Sequence, residues 1–311
     1  MPNVLVLGAS GMLGSMLVDH LSKTPGLTVT GSVRTSSMHA QFRTLYPTVN
    51  WTMFDGGDPD PSFAAFDGQS WIINAIGITK PLIREDNAAE IHRAIRVNSL
   101  LPHKIGQHAL RSGARVLQIA TDCVYSGLKG AYTESDPHDA LDVYGKTKSL
   151  GEAYDRNVHH LRCSIIGPEP KDYKFLIEWF RRQPRGAQLN GFTNHNWNGV
   201  TTLQFARLCR GIVARDLALP HLQHVVPTGN LTKARMLHEF AAAYQRPDIR
   251  IADVEAKSVI DRTLATNDAG LNRRLWEAAG YLQPPTVAEM IHEVARHHYA
   301  ADAMQGGAIT A

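Results

Sequence analysis

The chain has 311 residues, a formal charge of +3, 43% apolar side chains and 20% charged ones, the balance of an ordinary globular chain of one or two domains. So small a charge without a basic block gives nucleic-acid binding no support, and no apolar run approaches the ~18 residues of a membrane span. Cys123, Cys163 and Cys209 are scattered and form neither a disulfide framework nor a metal spacing; with no charged leader after Met1, the expected setting is the cytoplasm.

Asn3 to Leu7 (NVLVL) reads as a strand. It is stopped by Gly8-Ala9-Ser10-Gly11-Met12-Leu13-Gly14 and followed by the apolar-periodic Met16 to Leu21. Glycines are needed where φ is positive, where backbone approaches a diphosphate and where helix meets strand. The helix start offers free N–H groups and a positive dipole end. Gly8, Ser10, Gly11, Met12, Leu13 and Gly14 are therefore expected to hold a dinucleotide. Leu27 to Val33 is the second strand, and its end lacks the acid that would accept from a ribose 2′-hydroxyl. Arg34 stands there instead, beside Ser32, Thr35 and Ser36, and suits a 2′-phosphate, so the expected cofactor is NADP(H).

Val49 to Phe54 reads as a third strand ending in Asp55, a candidate for the adenine amine that is also good turn chemistry. Trp71 to Ile76 reads as a buried parallel strand with Asn74, Ala75 and Ile76 at its ligand-binding carboxyl end, and Lys80 follows within reach of an anion. Ala88 to Ser112 is helical, kinked or split at Pro102 and capped by Gly113. Arg115 to Ala120 is a strand with Thr121-Asp122 at its end, 127–142 is a loop, and Tyr144 starts a helix. Leu161 to Ile166 reads as another strand.

Beyond Gly167 the pattern changes. Phe175 to Phe180, Leu203 to Ala214, Lys233 to Ala243 and Pro285 to His297 read as helices, and His224 to Val226 as a short strand. Gly191 to Gly199 (GFTNHNWNG) is too dense in Asn and Gly for a core element. The expected fold is α/β: a doubly wound parallel (Rossmann) sheet with a smaller, mostly helical C-terminal substrate-binding part. The expected division is 1–166 for the dinucleotide, with 190–228 returning to it, 167–189 and 229–303 for the substrate, and 304–311 as a flexible tail.

Tyr144 and Lys148 are four residues apart and share a helix face. A fixed ammonium lowers a phenol's pKa, and the pair can pass a proton to an alkoxide. With Thr121 ending a neighbouring strand and a dinucleotide on the glycine turn, the set suits hydride transfer to a ketone. Tyr144 would protonate the oxygen, Thr121 would orient it, and Lys148 would tune the phenol and hold the nicotinamide ribose.

In their order, GASGMLG, NAIG, the helical Asn98, ATD and YGKTK resemble the extended short-chain dehydrogenase/reductase family over roughly the first two thirds of the chain. Ile119 to Glu152 is most similar to the dTDP-4-dehydrorhamnose reductase group. That resemblance implies NADPH-dependent reduction of a 4-keto-6-deoxy sugar on a nucleoside diphosphate, with Thr121, Tyr144 and Lys148 catalytic. It adds Asn98 to the cofactor residues, and Asp122, Cys123 and Val124 to those facing the substrate.

Asp122-Cys123 replaces the Asp-Glu pair of similar dehydratases, so dehydration is disfavoured. Gly199-Val200-Thr201-Thr202 lacks the proline usual in this group. His195 and Trp197 are expected to touch the sugar, Trp197 being as fit to anchor its loop. Arg262, Lys174, Arg182 and Lys233 are unspecific diphosphate candidates. The expected partner is a nucleotide sugar, and a homodimer stays open. A nucleotide-sugar 4-epimerase with the same Tyr and Lys, or a non-catalytic NADP-binding regulatory subunit, are the alternatives.

Overall fold

The computed structural model describes residues 1–300; the tail expected from Met304 lies outside the described residues. Seven strands form one parallel sheet: β1 (Asn3–Leu7), β2 (Thr28–Val33), β3 (Asn50–Met53), β4 (Trp71–Asn74), β5 (Arg115–Ala120), β6 (Val158–Arg162) and, after four short strands described below, β11 (Leu222–His224). Their order is β3-β2-β1-β4-β5-β6-β11. The order reverses between β1 and β4, where open α/β sheets bind ligands beyond their strand ends. Val4 to Leu7 and Ile72 are wholly buried, as strands covered on both faces must be.

Helices α1 (Met12–Leu21), α2 (Ser36–Leu45), α3 (Ala88–Ala94), α4 (Leu101–Ser112) and α5 (Val143–Leu150) accompany these strands. Between α3 and α4 the chain makes a π-helical turn, Ile95–Leu100, so the long helix is split one element ahead of Pro102. Pro102 falls in the first turn of α4, directly after the π-helical turn. Gly113 ends α4 with φ at 78°, as a left-handed cap requires. Helix α2 had no strong periodic signal because only Phe42 of its residues is buried.

The strand expected from Leu161 to Ile166 is two strands. β6 begins at Val158 and ends at Arg162, and β7 (Ile165–Ile166) pairs with β10 (Val200–Thr201). The chain leaves the large sheet after Cys163, and Ser164 O accepts from Val200 N at 2.8 Å.

The C-terminal part holds helices α6 (Leu176–Arg181), α7 (Thr202–Ala214), α8 (Lys233–Ala243), α9 (Ala269–Ala279) and α10 (Val287–Arg296). It also holds short strands: β8 (Gln188–Phe192) pairs with β13 (Arg250–Val254), and β9 (His195–Trp197) lies between β12 (Leu231–Thr232) and β14 (Ile260–Asp261). The asparagine-rich stretch is thus strand rather than open loop. Its asparagines bridge to the segment alongside. Asn194 exchanges two bonds with the Ala256 backbone, Asn196 donates to Asp261 at 2.8 Å, and Asn198 exchanges two bonds with the Leu264 backbone. Side-chain amides here replace ladder bonds, which composition alone does not reveal. Helix α7 packs on α1 and α9, joining the C-terminal part to the large sheet's helices. Among the described residues no helix is long and apolar enough to cross a membrane, and no cluster of His, Cys, Asp and Glu is arranged to hold a metal.

Candidate active site

The glycine turn is shaped by steric need. Gly8 has φ at 77°, and a Cβ there would lie 2.9 Å from the Ile76 side chain. A Cβ on Gly14 would lie 2.1 Å from Gly8 O, so only glycine lets α1 start against β1. Gly11 differs: its Cβ would have only Gly8 O, at 3.4 Å, as a neighbour. Gly11 is the N-cap of α1, whose first turn carries no acidic residue. A helix start free of carboxylates, bordered by space that a side chain would fill, fits the diphosphate of a dinucleotide. Ser10 and Leu13 are buried and Met12 half-buried at this turn.

At the end of β2, Ser32 is occupied: its Oγ accepts from Gly8 N at 3.1 Å. Arg34 is exposed, and Thr35 caps α2 by accepting from Met38 N at 3.3 Å. Asp55 is exposed and accepts from Gly57 N at 2.9 Å, so its side chain serves the turn that sequence reading allowed as its other role.

Past β4, Asn74 is wholly buried. Its amide donates to Gln118 at 2.8 Å and its oxygen accepts from Ile76 N at 3.1 Å, so it shapes the Ala75-Ile76 turn. Asn98, in the π-helical turn, grips Ile78 at both backbone atoms: Oδ1 accepts from Ile78 N at 2.8 Å and Nδ2 donates to Ile78 O at 2.9 Å. The same amide approaches Thr147 Oγ1 at 3.3 Å. The widened turn thus links the strand-end loop to α5, and irregular turns of this kind concentrate at functional sites.

Thr121 is the first residue past β5. Its Oγ1 accepts from Cys123 N at 3.1 Å. Asp142 caps α5 by accepting from Gly145 N at 2.8 Å, and one turn on are Tyr144 and Lys148. Tyr144 is half-buried and interacts with the Thr121 hydroxyl, while Lys148 is buried with Nζ donating to Ile119 O at 3.1 Å. The three side chains are therefore gathered at the carboxyl end of β5.

One expectation is corrected here. The Tyr144 phenol is raised above its ordinary value rather than lowered. Burial is the main cause, followed by the neighbouring Cys123, with Asp122 and Asp142 adding to it against the Thr121 hydroxyl. Lys148 itself is pulled down to about 8 by burial, against the counter-charge of Glu152. Desolvation weakens the charged forms of both groups.

Beside Thr121, Asp122 is buried and its carboxyl is pushed up by burial, opposed by Arg262 and Lys233. Burial and Asp122 push the Cys123 thiol up to about 12, so it stays protonated at neutral pH. Val124 is wholly buried beneath them. Lys233 and Arg262, unspecific in sequence, thus face the Asp122-Cys123 corner from the C-terminal part. Arg262 Nε donates to Tyr125 O at 2.8 Å, and the Lys233 ammonium lies 5.4 Å above the Trp197 ring.

The other substrate candidates are held in different ways. Lys80 Nζ pairs with Asp142 at 2.7 Å, which commits its charge to the cap of α5 instead of leaving it for an anion. His195 Nε2 is 2.9 Å from Ser258 O and its ring packs by Phe192, so strand pairing fixes it. Trp197 is buried with Nε1 donating to Ser164 at 2.8 Å, the anchoring role.

Sequence reading missed a buried polar network below Lys148. Arg162, wholly buried on β6, pairs with Glu152 and reaches Tyr125, His224 and, at 2.9 Å, His138. An arginine within a strand of the buried parallel sheet was the available signal, since a buried guanidinium needs a partner.

The profile of the RmlD substrate binding domain matches residues 2–300. The spore coat polysaccharide biosynthesis protein SpsK of Bacillus subtilis (strain 168) is 30% identical over 154 residues, 49% of this chain and 47% of that protein. A dTDP-4-dehydrorhamnose reductase of Aggregatibacter actinomycetemcomitans is 28% identical over 155 residues, 49% of this chain and 46% of that one. The chain thus matches about half the length of these relatives. The crystal structure of dTDP-4-dehydrorhamnose reductase from Bacillus anthracis str. Ames in complex with NADP superposes with a TM-score of 0.68, covering 94% of this chain and 99% of that one at 16% identity, a likeness of fold. With that profile spanning residues 2–300, the chain belongs to the RmlD substrate binding domain family.

Proposed function

We propose that the chain is an NADPH-dependent reductase of a 4-keto-6-deoxy sugar linked to a nucleoside diphosphate. The observation that carries this reading is the meeting of Thr121, a protonated Tyr144 and Lys148 at one strand end. Gly8, Gly11 and Gly14 with the first turn of α1 would hold the diphosphate of the dinucleotide, and Arg34 its 2′-phosphate. When bound, NADPH supplies the hydride.

The chain's own part is to position and protonate. Thr121 donates a hydrogen bond to the keto oxygen and turns it toward the phenol. Tyr144, neutral as a phenol is at this pH, gives that oxygen its proton. The Tyr144 phenol is in its protonated form at neutral pH, the form a proton donor needs. Lys148 holds the nicotinamide ribose, anchored from behind by Ile119 O. Lys233 and Arg262 face the substrate's negative charge, with Trp197 of β9 packed beneath the Lys233 ammonium.

The reading is tested by incubation with NADPH and a panel of 4-keto-6-deoxy nucleotide sugars, following the absorbance of the reduced cofactor. Stoichiometric consumption with a reduced sugar product is expected. Redox-neutral isomerisation would indicate an epimerase. Binding of NADPH without turnover on any member would indicate a regulatory subunit.

A further inference from the structure

Lys171 lies on the loop between β7 and α6, far in sequence from Arg34, yet the two cations are neighbours. The Lys171 ammonium is half-buried, and its hydrogen-bonding partner is the Met38 sulfur on α2, at 4.0 Å. Burial and then the Arg34 guanidinium pull that ammonium below its ordinary value, with only the exposed Asp172 opposing. Among the described residues neither Arg34 nor Lys171 forms an ion pair with a carboxylate. Two like charges brought together disfavour each other, and an anion between them reverses the sign of that interaction.

The loop is built to hold this position. Buried Glu169 accepts from Phe175 N at 2.6 Å and closes the segment on itself. Asp172 and Tyr173 stand in the left-handed region at φ 68° and 49°. Side chains other than glycine persist there only where their surroundings enforce it, and such residues gather at ligand clamps. The Arg182 guanidinium sits 3.5 Å above the Tyr173 ring and braces the turn. Between the loop and α2 is a cavity of about 280 Å³, whose lining includes Met38, Gln41, Phe42, Lys171, Asp172 and Tyr173.

We propose that the 169–175 loop is a clasp over the adenosine end of the dinucleotide, and that Lys171 shares the ribose 2′-phosphate with Arg34. A phosphate monoester carries close to two negative charges at neutral pH and so suits two cations better than one. The proposal rests on the reading of the chain as NADPH-dependent. It makes selection of the phosphorylated cofactor the work of two segments on opposite sides of the ribose.

The test measures dissociation constants of the full chain for NADPH, NADH, adenosine 2′,5′-bisphosphate and inorganic phosphate, in the wild type, Lys171→Met, Lys171→Arg and Arg34→Ala. A lost charge-assisted bond weakens binding ~10- to 100-fold. Lys171→Met is expected to lose that much for NADPH and the bisphosphate while NADH stays within about two-fold, which also reports an intact fold. Lys171→Arg is expected to restore most of the NADPH affinity. Unchanged NADPH binding, or equal losses for NADPH and NADH, in Lys171→Met would overturn the clasp, and selective weakening by Arg34→Ala would then leave the cofactor reading standing. A loss for inorganic phosphate alone would assign Lys171 to a free anion and overturn the proposal. A wild type that binds NADH as tightly as NADPH would overturn both readings together.

Discussion

The Lys148 ammonium donates to the Ile119 carbonyl at 3.1 Å and so ties the helix carrying Tyr144 to the strand that delivers Thr121. This bond fixes the lysine from behind and leaves its remaining N–H groups for a ligand. It also holds a charge in a place that disfavours it, and pH dependence follows.

Lys148 titrates at about 8 in the folded chain, against 10.5 ordinarily. Between those values the unfolded chain binds more protons, so this group's contribution to stability rises with pH there and is flat below about 8. Lys148→Met should therefore be more stable than the wild type at pH 7, with the advantage shrinking by pH 10. Urea titrations at the two pH values measure this; an advantage that grows with pH would contradict it. Turnover that needs the ammonium should fall as pH rises through about 8.

The phenol, raised by burial, remains protonated across neutral pH. Tyr144→Phe removes the donor and little volume. A fall in kcat of about 10²- to 10⁴-fold is expected, the usual contribution of a positioned acid, with NADPH binding near normal. Full activity in this variant, followed by the absorbance of NADPH, would remove Tyr144 from the mechanism.

Gly11 and Gly14 should fail in different ways. A Cβ at Gly14 meets backbone at 2.1 Å, whereas one at Gly11 meets only Gly8 O at 3.4 Å. Gly14→Ala should lower the melting temperature by several degrees, the consequence of ~1–3 kcal/mol of overpacking. Gly11→Ala should melt near the wild type and lose dinucleotide affinity instead. Calorimetry with and without NADPH separates the two; equal melting shifts would refute the distinction.

Glu152 neutralises Arg162 in the core below Lys148. Glu152→Gln leaves a guanidinium buried without its counter-charge, a loss of about 3–5 kcal/mol where partners are removed singly. Because Glu152 also supports the charged form of Lys148, the alkaline fall in turnover should begin at lower pH in this variant. An unmoved pH profile in folded Glu152→Gln would show that the network is structural alone.

The strands of the large sheet and the glycine turn were legible because both rest on local rules, apolar runs and a φ that only glycine takes freely. Tyr144 and Lys148 were legible as a pair from helical spacing, and their meeting with Thr121 from the topology of a parallel sheet. The sign of the Tyr144 shift was not, because burial is a property of the packed whole. Nor were the strands from Gln188 to Trp197: their asparagines bond to residues more than 60 positions away, whereas composition reports only local preference. Lys80 looked free in sequence because its partner Asp142 follows 62 residues later. Lys171 drew no notice, since its neighbour Arg34 lies far back in sequence, at the end of β2.

In the proposed reaction hydride passes from NADPH to the keto carbon of a sugar nucleotide beside Thr121 and Tyr144. Its most direct measurement supplies NADPH deuterated at the transferable C4 position, together with a 4-keto-6-deoxy nucleotide sugar, and analyses the product by mass spectrometry and NMR. One deuterium on the former keto carbon, with one NADP⁺ formed per sugar reduced, is the result the account predicts. An isomerised sugar without net cofactor oxidation, or a reduced sugar carrying no deuterium, would contradict it.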